Sequence, residues 1–574
     1  MNNQSALSVI NAAGCGGAPV TAYLKRSFSA LPKRFRPVVN DRYIDVFRKS
    51  GAISASEFLN KTVKKTAGRN ELLAGNDSEI VEHAKHCAKA AYLEGSKYLV
   101  PKMALDAMLQ FAIGQKVAPP SDKITPQGRF NRLICDKWWR RAIRKAIGRE
   151  VEGLAIDLGL VNKQKGQYAS DETVSRRLRQ KKRNRDLLKT VIAVNELGQE
   201  YTLEALSELG VSNPKLRRME LMTRIDGFDR IAKDLGHAAD FYTITCPSKY
   251  HAIKSDGKPN PKFAGFTPKQ GQQYLVSTWA KTRAYLAKND VKIYGFRVAE
   301  AHHDGTPHWH MMLFYEAKHT DFVRATIKRY ALKVDGDEFG ADKARFDVKA
   351  IDRKKGSAAG YLSKYISKNI DGYGLDDDAD FEGGDIAKNV DRVEAWAACW
   401  GVRQFQQIGG APVGVWRELR RLGAVKDGLI GILSELQDAA DSADWALYTT
   451  KQGGALVARK DLAARVRREW FSDLWSIYHG QGLEKVTGVL AGDEFEKTRL
   501  HDWALKRAFA PAWSSVNNCN QEKENLSDIV EKLDDFEAVK IRASMPMTEK
   551  YRHTGIFEGE SISKFDKREF GLWK

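Results

Sequence analysis

The sequence predicts an α+β protein, with a central block in which strands alternate with helices between two mainly helical flanks. Three observations carry this expectation. Val291–Ala301 and His308–Tyr315 are rich in strand formers, and Asp304-Gly305 between them supplies the turn chemistry of a β-hairpin. Asp240–Cys246 alternates like a strand, and a further strand is expected near Arg345–Ile351. Pro268–Lys288 and the segment from Tyr361 to Ile370 show helical spacing between those strands. With the hairpin central, the pattern suits an antiparallel sheet packed on one side by helices.

Residues 1–125 read as a helical N-terminal region. Ser54-Ala-Ser-Glu57 resembles a capping box, and Asp77–Leu99 is alanine-rich at helical spacing. His83, His86 and Cys87 lie within about one turn, but three potential ligands without a fourth read as ordinary helix surface. Pro119-Pro120 marks a linker into a basic helical region, residues 126–236. There Phe130–Gly148 carries Trp138-Trp139-Arg140-Arg141, and seven of the ten residues Arg176–Arg185 are Lys or Arg with no acid among them. Arg140, Arg141, Arg176, Arg177, Lys181, Lys182 and Arg183 are therefore candidate contacts to a phosphate backbone. The competing interpretation is a solvated helix face with paired charges.

Leu203–Leu235 continues as helix into the central block, residues 237–425, whose last part, Val390–Leu422, reads as mostly helical. Asp371–Asp385, with six aspartates and one glutamate, is expected to be a surface loop. Residues 426–574 are expected to be mainly helical and partly flexible. Trp445–Leu474 would supply one or two amphipathic helices and Gln521–Phe536 a charged helix or tether, while Ser544–Lys574 is basic and loosely ordered.

Composition narrows the partners. Across 574 residues, 93 Lys and Arg stand against 73 Asp and Glu, a net charge of +20. That surplus favours a polyanion, since phosphate neutralisation with counterion release drives nonspecific nucleic-acid binding. The six cysteines form no Cys-x-x-Cys pair, which argues against a zinc ribbon or disulfide scaffold and for a reducing setting. The N-terminus lacks a basic flank ahead of an apolar core, and no run approaches eighteen apolar residues. Neither export nor a membrane partner is indicated.

Chemistry concentrates in the hairpin and the later helix. Residues two apart share a face of a strand, so His308 and His310 can offer imidazole nitrogens to one cation while Trp309 packs behind. If His303-Asp304-Gly305 form a three-residue loop with Gly305 left-handed, Glu300 lies opposite His308 and joins the set. His302 shares that face and ranks behind Glu300. A two-residue Asp-Gly turn would instead put Glu300 on the Trp309 side. Two strand histidines are commonplace alone, but a carboxylate with two imidazoles suits a divalent ion, Mg²⁺ or Mn²⁺, that must also hold phosphate oxygens. On the helix, Tyr361, Lys364, Tyr365 and Lys368 fall at i, i+3, i+4 and i+7, so two phenols and two ammonium groups share a stripe. Leu362, Ile366 and Ile370 form a separate apolar stripe that can face a core.

His308-Trp309-His310 with Tyr361-x-x-x-Tyr365 resembles the HUH endonucleases, in their replication-initiator branch. Tyr-Leu-Ser-Lys-Tyr-Ile-Ser-Lys-Asn-Ile-Asp-Gly, followed by Trp400-Gly-Val-Arg-Gln-Phe-Gln-Gln-Ile-Gly409, is similar to the replication gene A endonucleases of temperate tailed phages. Phe241-Tyr-Thr-Ile-Thr-Cys-Pro-Ser248 resembles that family's first motif. The resemblance implies a five-stranded antiparallel sheet with a tyrosine nucleophile, a 5′-phosphotyrosyl link to single-stranded origin DNA, and initiation of rolling-circle replication. It further implies a host replicative helicase as partner, no nucleotide cofactor for cleavage, and action in the cytoplasm of the bacterial host. A plasmid relaxase, an HUH transposase and a noncatalytic origin-binding protein remain alternatives. A cupin-like metalloenzyme fits poorly, since five residues separate His310 from Glu316 where cupins use three or four.

Overall fold

The computed structural model describes residues 5–66, 77–354, 356–375, 385–423, 430–476 and 480–507. The readings of Gln521–Phe536 and Ser544–Lys574, and most of the acidic stretch Asp371–Asp385, lie outside them. The chain divides into two compact units.

The first unit holds Met1–Thr173 with two short later segments, Ala252–Pro261 and Ser472–Leu483. Its described helices include Ala6–Ala12, Ala18–Ser29, Arg36–Thr66, Asp77–Ser96, Pro101–Gly114, Pro126–Leu133 and Asp136–Asp157. The helix expected to start at Ser54 begins earlier: Gly51, at φ 80°, breaks Arg36–Thr66, and Ser54 sits inside the second part. A left-handed residue is strain-free only for glycine, so the kink falls at Gly51 rather than at a hydroxyl cap. Trp139, fully buried, donates from its indole nitrogen to the carbonyl of Leu133 at 2.7 Å. It anchors the turn between two helices, so Trp139 of the Trp138-Trp139-Arg140-Arg141 stretch serves the core.

The second unit holds Val174–His251, Lys262–Phe471 and the residues from Glu484 onward. The strands in chain order are β1 (Val191–Asn195), β2 (Glu200–Thr202), β3 (His237–Thr245), β4 (Tyr294–Ala301), β5 (Pro307–Glu316), β6 (Phe346–Ala350), β7 (Phe405–Ile408), β8 (Arg465–Ser476), β9 (Gly480–Ala491), β10 (Glu494–Lys497) and β11 (Trp503–Arg507), of which residues 472–476 of β8 and 480–483 of β9 count with the first unit and the rest with the second. Five form the central sheet in the order β6-β3-β5-β4-β7, all antiparallel. The five-stranded expectation holds, with β7 in a stretch that reads as helical from sequence.

Helices cover both faces of this sheet rather than one. On one side Pro214–Asp234 and Ala358–Ile370 pack over Phe241, Phe296, Val298, Met312 and Phe314, with Leu362, Ile366 and Ile370 buried as their spacing predicts. On the other, Pro268–Lys288 receives Trp309, whose indole donates to Gln272 Oε1 at 3.0 Å. Arg324, on Thr320–Ala331, makes a two-pronged ion pair with buried Asp240. Every residue of β4 is buried, so this central strand has no solvent face to spend on polar alternation.

The expectation of one or two helices in Trp445–Leu474 holds only for the start of that stretch. The α-helix spans Trp445–Lys451, a single 3-10 turn follows at Arg459–Asp461, and then come β8 to β11. β11 returns to pair with β1, and β10-β9-β8 make a second small sheet. Among the described residues no helix is long and apolar enough to cross a membrane.

Candidate metal and tyrosine site

Local sequence sets the hairpin register. Gly305, at φ 81°, donates its amide to the carbonyl of His302, and His302 donates to Thr306 O, both at 2.8 Å. The loop is thus the three-residue turn His303-Asp304-Gly305, which places Glu300 opposite His308 and Val298 opposite His310. Asp304 Oδ1 accepts from the Thr306 amide, and the Trp396 indole donates to Gly305 O at 2.8 Å, so the turn is held from inside and outside.

On the face this register creates, the Nε2 atoms of His308 and His310 lie 3.0 Å apart. Glu300 Oε2 is 3.9 Å from the first and 3.7 Å from the second. These three residues form one of two groups among the described residues whose ligand atoms converge closely enough for one ion. His302 does not complete it, although its ring lies 4.0 Å from that of His308. The donor set fits a hard divalent cation: two cis ligands at about 2.0–2.1 Å in octahedral geometry stand about 3 Å apart, the separation of the two imidazole nitrogens. On the far side of its ring His310 Nδ1 meets Thr243 Oγ1 at 3.1 Å, which orients the imidazole. His308 Nδ1 and His302 Nε2 are buried without hydrogen-bond partners.

Burial sets the charge states. It drives His308 well below the ordinary imidazole range and His310 down to about 3, assisted by neighbouring imidazoles and Lys368, so both rings are neutral near pH 7. Burial pushes the Glu300 carboxyl up against the opposing pull of Lys368, Asn369 and Lys364. The residues thus form a dry set of neutral donors around one partly compensated carboxylate.

The helix Ala358–Ile370, capped by Ser357 Oγ on the Gly360 amide, brings Tyr365 to this face. The Tyr365 ring lies 4.2 Å from that of His310 and 5.3 Å from Phe241. Burial, then the Glu300 charge, raises its phenol above the ordinary value. Lys368 Nζ is 3.9 Å from Glu300 Oε2. Tyr361 is half-buried one turn earlier and packs against the same core, while Lys364 is exposed. Sequence reasoning missed Asn369, whose Nδ2 donates to Glu300 Oε1 and whose Oδ1 accepts from Gln404 at 2.9 Å. It stands four residues after Tyr365, a spacing that would have flagged it. Thr243 lies inside a motif already quoted, and the pair His251 Nδ1 to Asp304 Oδ2, 3.2 Å, left no local signal.

The basic residues divide. Arg177 is buried and Lys181 half-buried, and both are tied to Glu394, Arg177 Nη2 at 2.9 Å and Lys181 Nζ at 2.6 Å. Lys182 and Arg183 are exposed and Arg176 half-buried on the same helix, Asp171–Lys189. Arg140 and Arg141, in the first unit, are half-buried on Asp136–Asp157.

Residues 50–373, over half of the chain, match the family described as bacteriophage replication gene A protein. The chain belongs to that family. Among its relatives are "Probable replication protein P12" of Pseudoalteromonas phage PM2, 43% identical, and "Replication gene A protein" of Escherichia phage 186, 42% identical. The alignments cover 68% and 69% of this chain, and 62% and 60% of those proteins. A 33% identical relative in Salmonella typhimurium, covering 78% of this chain and 58% of that protein, is named "Probable replication endonuclease from prophage-like region". The chain thus spans about three-fifths of the length of these gene A family relatives. No solved structure matches it. The matched region contains the hairpin and both tyrosines.

Proposed function

We propose that this gene A family protein is a nicking endonuclease that opens one DNA strand at a replication origin through Tyr361 or Tyr365. It holds the 5′ end as a phosphotyrosine and later rejoins it, initiating rolling-circle replication of phage or prophage DNA in the host cell. The observation that carries this reading is the convergence of Glu300, His308 and His310 beside the ring of Tyr365. The name of the Salmonella relative supports the nuclease class.

A divalent ion, Mg²⁺ or Mn²⁺, held by Glu300, His308 and His310 would polarise the scissile phosphate as a Lewis acid. The phenolic oxygen attacks phosphorus in line; the P–Oη bond forms as the bond to the 3′ oxygen breaks. The phenol's proton passes to solvent, and the departing oxygen takes one up to become a free 3′-OH able to prime synthesis. One phosphodiester is exchanged for another, so rejoining is the reverse exchange and needs no ATP. Lys364 and Lys368 offset charge on the phosphate. Phenols one turn apart, with Cβ atoms about 5–6 Å from each other, can address the same phosphate in turn, which lets the second cut a regenerated origin. Exposed Lys182 and Arg183, with Arg176, supply backbone contacts; Arg140 and Arg141 belong to the same proposal. A host replicative helicase would extend the opened duplex.

The test is to incubate wild type, Tyr361→Phe, Tyr365→Phe and the double variant with origin DNA and Mn²⁺, then look for DNA-linked protein on a denaturing gel. Adducts are expected from wild type and at least one single variant, and none from the double. An adduct in the double variant refutes the nucleophile assignment, and no adduct from wild type favours a noncatalytic origin binder.

A further inference from the structure

The second convergent group lies in the first unit, on residues given no role above. His83, His86 and Cys87 occupy one side of the helix Asp77–Ser96, where spacings of three and four residues stack side chains on one face. Their ligand atoms all lie within 4.8 Å of one another. Cys87 Sγ stands 3.5 Å from His83 Nε2, and the His83 and His86 rings run nearly parallel, 18° between planes and 6.5 Å between centres.

We propose that His83, His86 and Cys87 form a second metal site, for a thiophilic divalent ion of the zinc class, with a fourth position open to solvent. The geometry fits that ion. Zinc bonds of about 2.3 Å to sulfur and about 2.0–2.1 Å to nitrogen give a tetrahedral S···N edge of about 3.6 Å, close to the 3.5 Å found. Donor types separate the two sites. A thiolate with two imidazoles selects zinc and its softer neighbours, whereas the carboxylate-imidazole set of Glu300, His308 and His310 accepts a hard ion that keeps several water ligands.

Location makes the site a clip. Cys87 is fully buried in the interior of the helical unit, whereas His86 is exposed and His83 half-buried. An ion held by all three would bridge the buried and the exposed edges of that one helix face. Its binding energy would then appear as stability of this unit, because an ion that binds only the folded form stabilises it by mass action.

The experiment uses the whole protein, stripped of metal and titrated with Co²⁺, whose thiolate complexes absorb in the near ultraviolet while its carboxylate-imidazole complexes do not. One equivalent should develop that band, and Zn²⁺ should bleach it. Cys87→Ser should abolish it and His86→Ala, at an exposed position, should weaken Co²⁺ binding at least tenfold. Glu300→Gln should leave the band unchanged. A wild-type protein without the band, or a band surviving in Cys87→Ser, overturns the proposal and leaves a thiol hydrogen-bonded to imidazole. Circular dichroism on each variant separates lost ligands from lost fold, and His86→Ala keeps the test decisive should Cys87→Ser fail to fold.

Discussion

Asn369 donates from its side-chain amide to Oε1 of Glu300, and by this bond the helix that carries the tyrosines holds the carboxylate of the hairpin. Outer partners of this kind fix the rotamer of a ligating group, and losing one costs about 10–100-fold in metal affinity. Asn369→Ala is therefore expected to weaken Mn²⁺ binding at least tenfold in a calorimetric titration, with the fold intact by circular dichroism. Unchanged affinity would remove Glu300 from the ligand set or Asn369 from its support.

The two buried imidazoles make stability depend on pH. Unfolded, each takes up a proton near pH 6.5; folded, His310 does so only at about 3. The unfolded chain thus binds more protons between those limits, so stability is full above about pH 6.5 and falls as pH drops, by at most about 1.4 kcal/mol per unit per imidazole. Glu300, its carboxyl raised by burial, acts oppositely, because protonation relieves a buried charge. Around His310 stand Glu300, His302, His308, Lys368, Thr243 and Tyr365. For metal-free protein, Tm should fall between pH 6.5 and 5, and less steeply in His310→Gln. Parallel curves for the two would contradict this account.

Glu394 gathers Arg177 and Lys181; burial pushes its carboxyl up, but those two cations outweigh it and hold the group down at about 2. Its folded value lies below the unfolded one near 4.3, so the stabilisation is present above that pH and lost as pH falls toward 2. Glu394→Gln leaves the Arg177 guanidinium buried with a weaker partner, at a cost of about 1–3 kcal/mol. Thermal unfolding at pH 7 measures it, and the difference from wild type should vanish near pH 2.

Gly295 is the second residue of β4, at φ 144°, and a Cβ there would stand 2.0 Å from the carbonyl oxygen of Met312 on the neighbouring strand. Backbone cannot move aside as a flexible side chain can, so Gly295→Ala is expected to cost more than about 3 kcal/mol. The readout is soluble yield and Tm; a near-native Tm would show that the sheet can open at this point.

Much of the site was legible because its determinants are local. Alternation put His308 and His310 on one face, the left-handed Gly305 selected the register that brings Glu300 opposite, and helical spacing separated the phenol stripe from Leu362, Ile366 and Ile370. What escaped was decided at long range. β7, Phe-Gln-Gln-Ile, has no apolar alternation and is a strand because the edge of β4 pairs with it. β8 carries Arg465-Val-Arg-Arg-Glu, whose charges mask its strand formers. The turn Gly492-Asp493 between β9 and β10, with Gly492 at φ 57°, was a readable hairpin signal. The burial of both sheet faces was written in Met311-Met-Leu-Phe-Tyr315, a run with no polar interruption. Arg177 and Lys181 could not be told from exposed cations until Glu394, more than two hundred residues later, was placed beside them.

The return of β11 to β1 bears on how this protein can be cut. Val191–Asn195, ahead of the first strand of the central sheet, borrows backbone partners from Trp503–Arg507, and Val489, Ala491, Trp445 and Tyr448 share one apolar interior with Phe228 and Leu362. A minimal nuclease trimmed to residues 237–425 would bare that interior and discard the helix Pro214–Asp234 that roofs it. A shortened version that keeps this interior covered would have to start before Val191 and include Arg507.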